Sequence, residues 1–95
     1  MKKLNHNQHD IILHSMERMC KVVNQKIIKG QELNGIDILN DIDLIYIDLI
    51  NLYPQIKNEL KNILNSQFNH LLFISKNNKF LMITKKLENS ISNLK

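Results

Sequence analysis

Residues 36–53 carry apolar side chains around more than half of a helix circumference, and this pattern limits the folds open to the chain. Five of these residues are separated alternately by four and three positions, as in a packed helical seam: Ile38, Ile42, Ile45, Leu49 and Leu52. Further apolar residues widen the seam: Ile36, Leu39, Tyr46, Ile47, Ile50 and Tyr53. A helix this apolar has to be covered on two sides. The segment is therefore either the central helix of a bundle or a dimer interface.

The segments on either side have the 3.6-residue apolar period of amphipathic helices. One such helix spans 10–29, and Gly30 is a natural residue to follow its C-terminus. Pro54 kinks the second helix or opens the next one, because it cannot supply the N–H of a helix interior. The apolar stripes of 55–74 and 80–94 differ by about half a turn at 100° per residue. The chain is therefore predicted to break near 75–79, which reads SKNNK.

These patterns predict one all-α domain over residues 1–95, with residues 1–9 as a frayed N-terminal tail. The expected architecture is a small antiparallel helical bundle of three long helices, the last broken near residues 75–79. The low content of turn formers, two glycines and one proline, favours long helices over a many-stranded sheet. The alternative is an α+β fold with a β-hairpin at 70–84, because two apolar runs flank an Asn-Asn pair that tolerates positive φ.

The N-terminus and the cysteine content indicate an expected compartment. The basic start of the chain is followed by polar residues rather than by the apolar stretch of a signal peptide. No apolar run approaches the roughly 18 residues of a membrane-spanning helix. Cys20 is the single cysteine, so an internal disulfide is excluded. We therefore expect a cytoplasmic protein without a transmembrane segment.

Four aspartates lie in the apolar segment 36–53, and the helical wheel separates them into two groups. Asp37, Asp41 and Asp48 share one narrow strip, which we interpret as the solvated side of the helix rather than a cation site, since a hard cation needs six or more oxygen ligands. Asp43 falls inside the apolar arc. It either pairs with a lysine or histidine and fixes the register of an interface, or lies at the edge of the core, which is the simpler interpretation.

No spacing of reactive residues predicts catalysis. The four histidines and Cys20 do not have the arrangement of a zinc site or of a nucleophile with its base. No glycine-rich phosphate loop is present in the sequence. We therefore expect neither an enzyme, nor a metal site, nor a cofactor.

Charge is distributed unevenly along the chain. Residues 30–56 hold five acidic residues and no basic residue, whereas the remainder holds thirteen basic and four acidic residues. Two clusters are possible basic patches: Arg18, Lys21 and Lys29 with Lys2 and Lys3, and Lys85 and Lys86 with Lys76 and Lys79. A lysine excess with one arginine is weak support for nucleic-acid binding, because arginine is the residue suited to bidentate contacts. The layout is better suited to steering a protein partner.

The sequence therefore favours a non-catalytic protein-interaction module, a small bacterial adaptor or chaperone that binds a partner or a second copy through the surplus apolar face of helix 36–53. The residues expected at that contact are Ile36, Asp43, Tyr46, Ile47, Ile50 and Tyr53. In size and helix pattern, and in no motif, the chain resembles the small helical chaperones of flagellar and type III export. The alternatives are a small dimeric nucleic-acid-binding regulator and an immunity or antitoxin protein.

Overall fold

The computed structural model describes residues 3–94, and this range forms four α-helices with short connections. In chain order the elements are α1 (His6–Ile28), α2 (Glu32–Leu52), a 3-10 turn (Pro54–Ile56), α3 (Lys57–Asn77) and α4 (Leu81–Asn93). The all-α prediction is confirmed. The prediction of three helices is wrong, because the break expected near 75–79 separates two full helices. No residue within 3–94 lies in a strand, so the alternative hairpin at 70–84 is also wrong.

Helix α1 begins at His6 rather than near the expected Asp10, because a capping box satisfies its first N–H groups. The Gln8 backbone N–H donates to Asn5 Oδ1 at 2.8 Å, and the Asn5 backbone N–H donates to Gln8 Oε1 at 3.1 Å. These reciprocal bonds hold the first helical turn. Residues 6–9 of the expected N-terminal tail are therefore helical, whereas its residues 1–2 lie outside the described range.

The turns that end α1 and α3 have the same hydrogen-bond pattern but different residues at their left-handed position. Gly30 N–H donates to Ile27 C=O at 3.0 Å, and Lys79 N–H donates to Lys76 C=O at 3.0 Å. In each turn, the backbone N–H of the following residue donates to the carbonyl of the residue just before that acceptor. This pair of hydrogen bonds defines a Schellman turn. Gly30 has φ 72° and Lys79 has φ 60°. A side chain at this angle costs roughly 1–2 kcal/mol, so the packing of α3 and α4 has to hold the second turn.

The two hairpins, α1–α2 and α3–α4, lie side by side. Helix α1 packs against α2 and α3, and α4 packs against the same two helices, so α1 and α4 occupy opposite corners. Near the start of α2 and α4, Gly35 lies against Ile83. Further along, Asp43 accepts a hydrogen bond from Ser90. Because residue numbers rise together, α2 and α4 run parallel, and the expected antiparallel arrangement does not extend to this pair.

Helices α1 and α3 form a second parallel pair. His9 Nε2 lies 3.1 Å from Glu59 Oε2 near the starts of both helices, and Cys20 and Leu71 line one cleft further along. The chain crosses from α2 to α3 through the 3-10 turn that Pro54 opens. A proline at the first position of such a turn needs no N–H partner.

All four helices contribute buried side chains to one core. Its buried members are Met16, Cys20, Val23, Ile27, Leu39, Ile42, Tyr46, Leu60, Leu64, Phe68, Leu71, Ile83, Leu87 and Leu94. The buried Ser75 hydroxyl bonds Thr84 Oγ1 at 2.9 Å, which joins α3 to α4 without an unpaired polar group. Across residues 3–94, each helix is either too short or too polar to cross a membrane.

The buried face of α2 differs from the predicted seam. Its buried residues are Gly35, Leu39, Ile42 and Tyr46. The seam residues Ile45 and Leu52 are exposed instead. At 100° per residue the buried face is turned by about 70° from the predicted seam. The reason is that α2 is covered by α1 on one side and by α4 on the other, so its buried face points between these two neighbours.

Candidate interaction surface

Most of the residues expected to bind a partner from helix 36–53 are used inside the chain. Tyr46 is buried, and Ile36 and Ile50 are partly buried against the core. Tyr53 at the end of α2 is partly buried as well. Ile47 is the member of this set with a large exposed surface. Helix α4 therefore supplies the second covering that the sequence pattern requires, and Ile47 stays open to a partner.

Asp43 is the centre of a polar contact between α2 and α4. Its Oδ2 accepts a hydrogen bond from Lys86 Nζ at 2.6 Å and another from Ser90 Oγ at 2.9 Å. The side chains of Asp43 and Lys86 are 26% and 21% exposed. Asp43 thus lies at the edge of the core, as the simpler interpretation expects. It also has the lysine partner that the alternative interpretation requires. A shift of α4 by one turn would leave both charges unpaired where water only partly reaches them.

A second polar contact joins the first turn of α2 to the start of α4. Phe80 precedes α4, and its side chain cannot accept a hydrogen bond from the first N–H groups of that helix. Glu32 takes this role from the neighbouring helix, because its Oε2 accepts from Ile83 N–H at 3.0 Å. Ile83 is the third residue of α4, where a capping side chain normally bonds. The sequence did not predict this contact, although an aromatic residue at the cap position is a signal that the acceptor comes from elsewhere.

The outward side of α2 combines carboxylates with apolar side chains. Asp37, Asp41 and Asp48 are exposed, which confirms the predicted solvated strip. No ion pair within residues 3–94 involves these three carboxylates. Leu44 and Ile47 lie beside the strip and are 63% and 50% exposed. We call these five residues the acidic face. It offers apolar contact area together with charges that attract a basic partner.

Ile47 also borders a small cleft between α2 and the end of α4. The cleft has a volume of about 140 Å³, close to that of a cavity that holds a benzene-sized group. It is lined by Asp43, Tyr46, Ile47, Ser90, Asn93 and Leu94. The cleft is therefore large enough for one apolar side chain beside Ile47, and it adjoins the acidic face.

The two predicted basic clusters are associated with different helices, α1 and α4, which lie at opposite corners. Arg18 and Lys21 are exposed on α1, and Lys29 is exposed directly after its last residue. Lys85 is exposed on α4, but the ammonium of Lys86 is bound to Asp43. Lys2 of the first predicted cluster lies outside the described residues. The two predicted clusters therefore lie mainly on separate surfaces, and Lys86 is the member whose charge is already paired.

Cys20 and the histidines lie far from the arrangement that a nucleophile requires. Cys20 is buried, and this burial, with a smaller contribution from the Glu17 carboxylate, raises the pKa of its thiol to about 12. The thiol is therefore protonated near neutral pH, where the thiolate would be the nucleophile. His9 lies 3.6 Å from Asp10 Oδ1 and 3.1 Å from Glu59 Oε2, near the helix starts. In the described part of the chain, no three His, Cys, Asp or Glu side chains converge as metal ligands do.

A polar cleft opens between α1 and α3. It has a volume of about 240 Å³ and is lined by Cys20, Lys21, Asn24, Gln67, His70 and Leu71. Asn24 Oδ1 is buried at this cleft and has no hydrogen-bond partner among residues 3–94. The α1–α3 interface thus has an acceptor that no described residue pairs with, whereas the polar groups described between α2 and α4 are paired by side chains.

The surfaces that could carry a function are therefore the acidic face with its adjoining cleft and the exposed lysines. The resemblance to export chaperones in size and helix pattern brings no residue roles to these surfaces. The sequence matches no protein-family model and has no significant similarity to a curated protein or to a solved structure.

Proposed function

We propose that the protein is a non-catalytic interaction module that holds a basic amphipathic helix of a partner protein against the acidic face of α2. The observation that carries this proposal is the exposure of Leu44 and Ile47 beside three exposed aspartates. Apolar residues at helical spacing provide contact area for an amphipathic helix. The carboxylates select a partner with lysine or arginine beside its apolar stripe.

The cleft beside Ile47 gives the partner helix an anchor. Hot spots of protein interfaces are side chains that fill well-packed pockets, and a cleft of about 140 Å³ suits one leucine or methionine. Asp43 lines the cleft, but its Oδ2 is bound to Lys86 and Ser90. The anchor is therefore apolar, and the aspartates of the acidic face supply the charge preference.

A partner protein fits the acidic face better than a second copy of the same face. In a two-fold symmetric dimer the same patch meets itself. The strips of Asp37, Asp41 and Asp48 from two copies would then lie near one another, and like charges in contact disfavour association. The homodimer expected from the sequence is therefore the less favoured arrangement, and sedimentation equilibrium can detect it.

An adaptor or chaperone and an immunity or antitoxin protein are both compatible with this surface, because each holds a segment of another protein. They differ in the partner, which would be an export substrate in the first case and a toxin in the second. A bacterial cytoplasm is part of the proposal and suits a single buried cysteine. A nucleic-acid regulator has less support, because Lys86 is already paired and the exposed face of α2 is acidic.

The proposal is tested with two synthetic helical peptides, one of leucine and lysine and one with glutamate in place of each lysine. Calorimetric titration should detect binding of the lysine peptide, weakening as salt is added, and no binding of the glutamate peptide. Leu44→Lys should abolish binding, because it removes apolar contact and adds repulsion. Ile11→Lys is the matched control, since Ile11 on α1 is 61% exposed against 63% for Leu44.

Circular dichroism should show that both variants retain the helical content of the parent, because both positions face solvent. Equal binding of the lysine peptide by the Leu44 and Ile11 variants would remove the acidic face from consideration. A dimer in sedimentation equilibrium that Leu44→Lys dissociates, without peptide binding, would assign the face to a second copy. Binding of neither peptide, with a monomeric parent, would overturn the proposal altogether.

A further inference from the structure

The end of the molecule that carries the two hairpin turns differs from the rest of the surface. We call it the turn end and define it as residues 26–34 and 76–85. The two segments are in contact there, because Glu32 Oε2 accepts a hydrogen bond from Ile83 N–H. Leu33 of α2 and Met82 of α4 line the same shallow depression, together with residues of the first turn. The parallel pairing of α2 with α4 and of α1 with α3 brings both turns to this one end.

Four large apolar side chains of the turn end face solvent: Ile28, Leu33, Leu81 and Met82. Their exposed fractions range from 52% for Met82 to 82% for Leu81. Single exposed apolar residues are normal on protein surfaces, but a group of them at one place marks a contact site. They come from α1, α2 and α4. The packing of these helices, rather than the pattern of one amphipathic helix, therefore brings them together.

The same end is basic. Residues 26–34 hold two lysines and residues 76–85 hold three, against the single acidic residue Glu32. The Glu32 carboxylate is engaged at the start of α4. Lys29, Lys76 and Lys79 are exposed in or beside the turns. The turn end therefore combines exposed apolar side chains with an excess of lysines, whereas the acidic face combines them with carboxylates.

We propose that the turn end docks on an anionic membrane surface, with its apolar side chains entering the interface and its lysines contacting lipid phosphates. Apolar side chains inserted at the headgroup boundary together with basic residues are the two elements of interfacial binding. Each lysine near an anionic leaflet contributes about 1 kcal/mol, which is roughly fivefold in affinity. Four protruding apolar residues add the transfer of hydrocarbon out of water.

The shape and composition of the turn end favour a bilayer over other anionic partners. An acidic helix would need a groove, and the depression beside Leu33 and Met82 is shallow. Nucleic acid would make no use of exposed Leu81, and the one arginine of the chain, Arg18, lies outside the turn end. The acidic face runs away from this end along α2, so an anionic membrane would repel it and leave it free for a protein partner.

Vesicle sedimentation tests the proposal with two lipid mixtures, pure phosphatidylcholine and equal parts of phosphatidylcholine and phosphatidylserine. The full chain should bind the anionic vesicles and not the neutral ones. Lys29→Gln with Lys76→Gln should weaken that binding by about tenfold or more. The control is Lys21→Gln with Lys57→Gln, which removes the same charge from exposed positions outside the turn end and should change binding by less than about twofold.

A fluorescence measurement tests the apolar contribution separately, because the chain contains no tryptophan. Leu81→Trp should show a blue-shifted and stronger emission with anionic vesicles, as expected of a side chain that enters the interface. Ile11→Trp, exposed outside the turn end, should show no shift. Equal responses at the two positions, or equal losses in the two lysine variants, would overturn the proposal. Binding to a duplex oligonucleotide but not to vesicles would also overturn it and assign the lysines to nucleic acid.

Discussion

The two parallel helix pairs of the molecule, α2–α4 and α1–α3, are joined by different contacts. Between α2 and α4, Asp43 accepts hydrogen bonds from Lys86 and Ser90, all at least half-buried. Between α1 and α3, Asn24 Oδ1 is buried beside an open cleft without a partner in the described range. The α2–α4 interface thus has hydrogen-bonded polar groups, whereas the α1–α3 interface has a buried acceptor that no described residue pairs with.

This difference shows where the register of the fold is set. Parallel neighbours cannot be joined by a short turn, so the relative height of α2 and α4 depends on side-chain contacts. Glu32 lies at the N-terminal ends of both helices, and its charge is favourable there because two helix dipoles direct their positive ends toward it. We infer that α2–α4 is the specified interface and that α1–α3 adapts to it through apolar packing.

The largest expected effect comes from closing the space between α2 and α4. Gly35 is buried, and a Cβ at this position would lie 2.8 Å from Ile83 Cδ1. Rotation of the Ile83 side chain could accommodate a Cβ alone, but not a whole leucine in this closed space, so Gly35→Leu should lower the free energy of unfolding by about 3 kcal/mol. Urea denaturation followed by circular dichroism measures the loss. Asn34→Leu adds the same side chain one residue earlier on an exposed position and should change stability by under about 0.5 kcal/mol.

The pairs Asp43–Lys86 and His9–Glu59 allow the two interfaces to be compared. Asp43→Ala should cost about 2 kcal/mol, because it leaves the Lys86 ammonium partly buried without an acceptor. A double-mutant cycle with Lys86→Met should give a coupling of roughly 1–2 kcal/mol. The cycle for His9 and Glu59 across α1–α3 should give under about 0.5 kcal/mol, since the Glu59 side chain is 57% exposed. Equal couplings in the two cycles would contradict the distinction between the interfaces.

The buried thiol of Cys20 makes the α1–α3 interface sensitive to alkaline pH. Burial raises its pKa from the ordinary 9.0 to about 12, so the folded state binds this proton more tightly than the unfolded state. The resulting stability is complete below pH 9 and is lost as pH rises toward 12. We expect a loss of about 1 kcal/mol between pH 9 and pH 10. Denaturation at both values, with Cys20→Ala as reference, isolates the effect because lysines titrate in both proteins. Parallel pH profiles would mean that Cys20 reaches solvent through the cleft.

Local periodicity was enough to predict the buried face of α1. Met16, Cys20, Val23 and Ile27 follow the 3.6-residue apolar period predicted for residues 10–29, and all four are buried. The half-turn change of phase near residues 75–79 likewise predicted the break that separates α3 from α4. These features depend on residues a few positions apart, whose relation is fixed by the geometry of one helix.

The features that the sequence did not reveal depend on which helices become neighbours. Asp43 pairs with a lysine 43 residues away, and Glu32 caps a helix 51 residues away. The buried face of α2 is turned away from the predicted seam because α4 covers it, and no pattern within α2 carries that information. The turn at Lys79 adopts a conformation that its own residue disfavours, since the packing of α3 and α4 determines it.

The smallest expected effect has the opposite sign and tests the comparison most directly. Asn24→Leu should raise the free energy of unfolding by about 0.5 kcal/mol, because it removes a buried acceptor without a partner and leucine favours the helix more than asparagine does. The same change at Asp43 should be destabilising, since Lys86 and Ser90 would lose their acceptor. Urea denaturation of both variants gives the two signs. A loss of stability in Asn24→Leu would show that ordered water satisfies Asn24 in the cleft, and the α1–α3 interface would then be as polar and as specified as α2–α4.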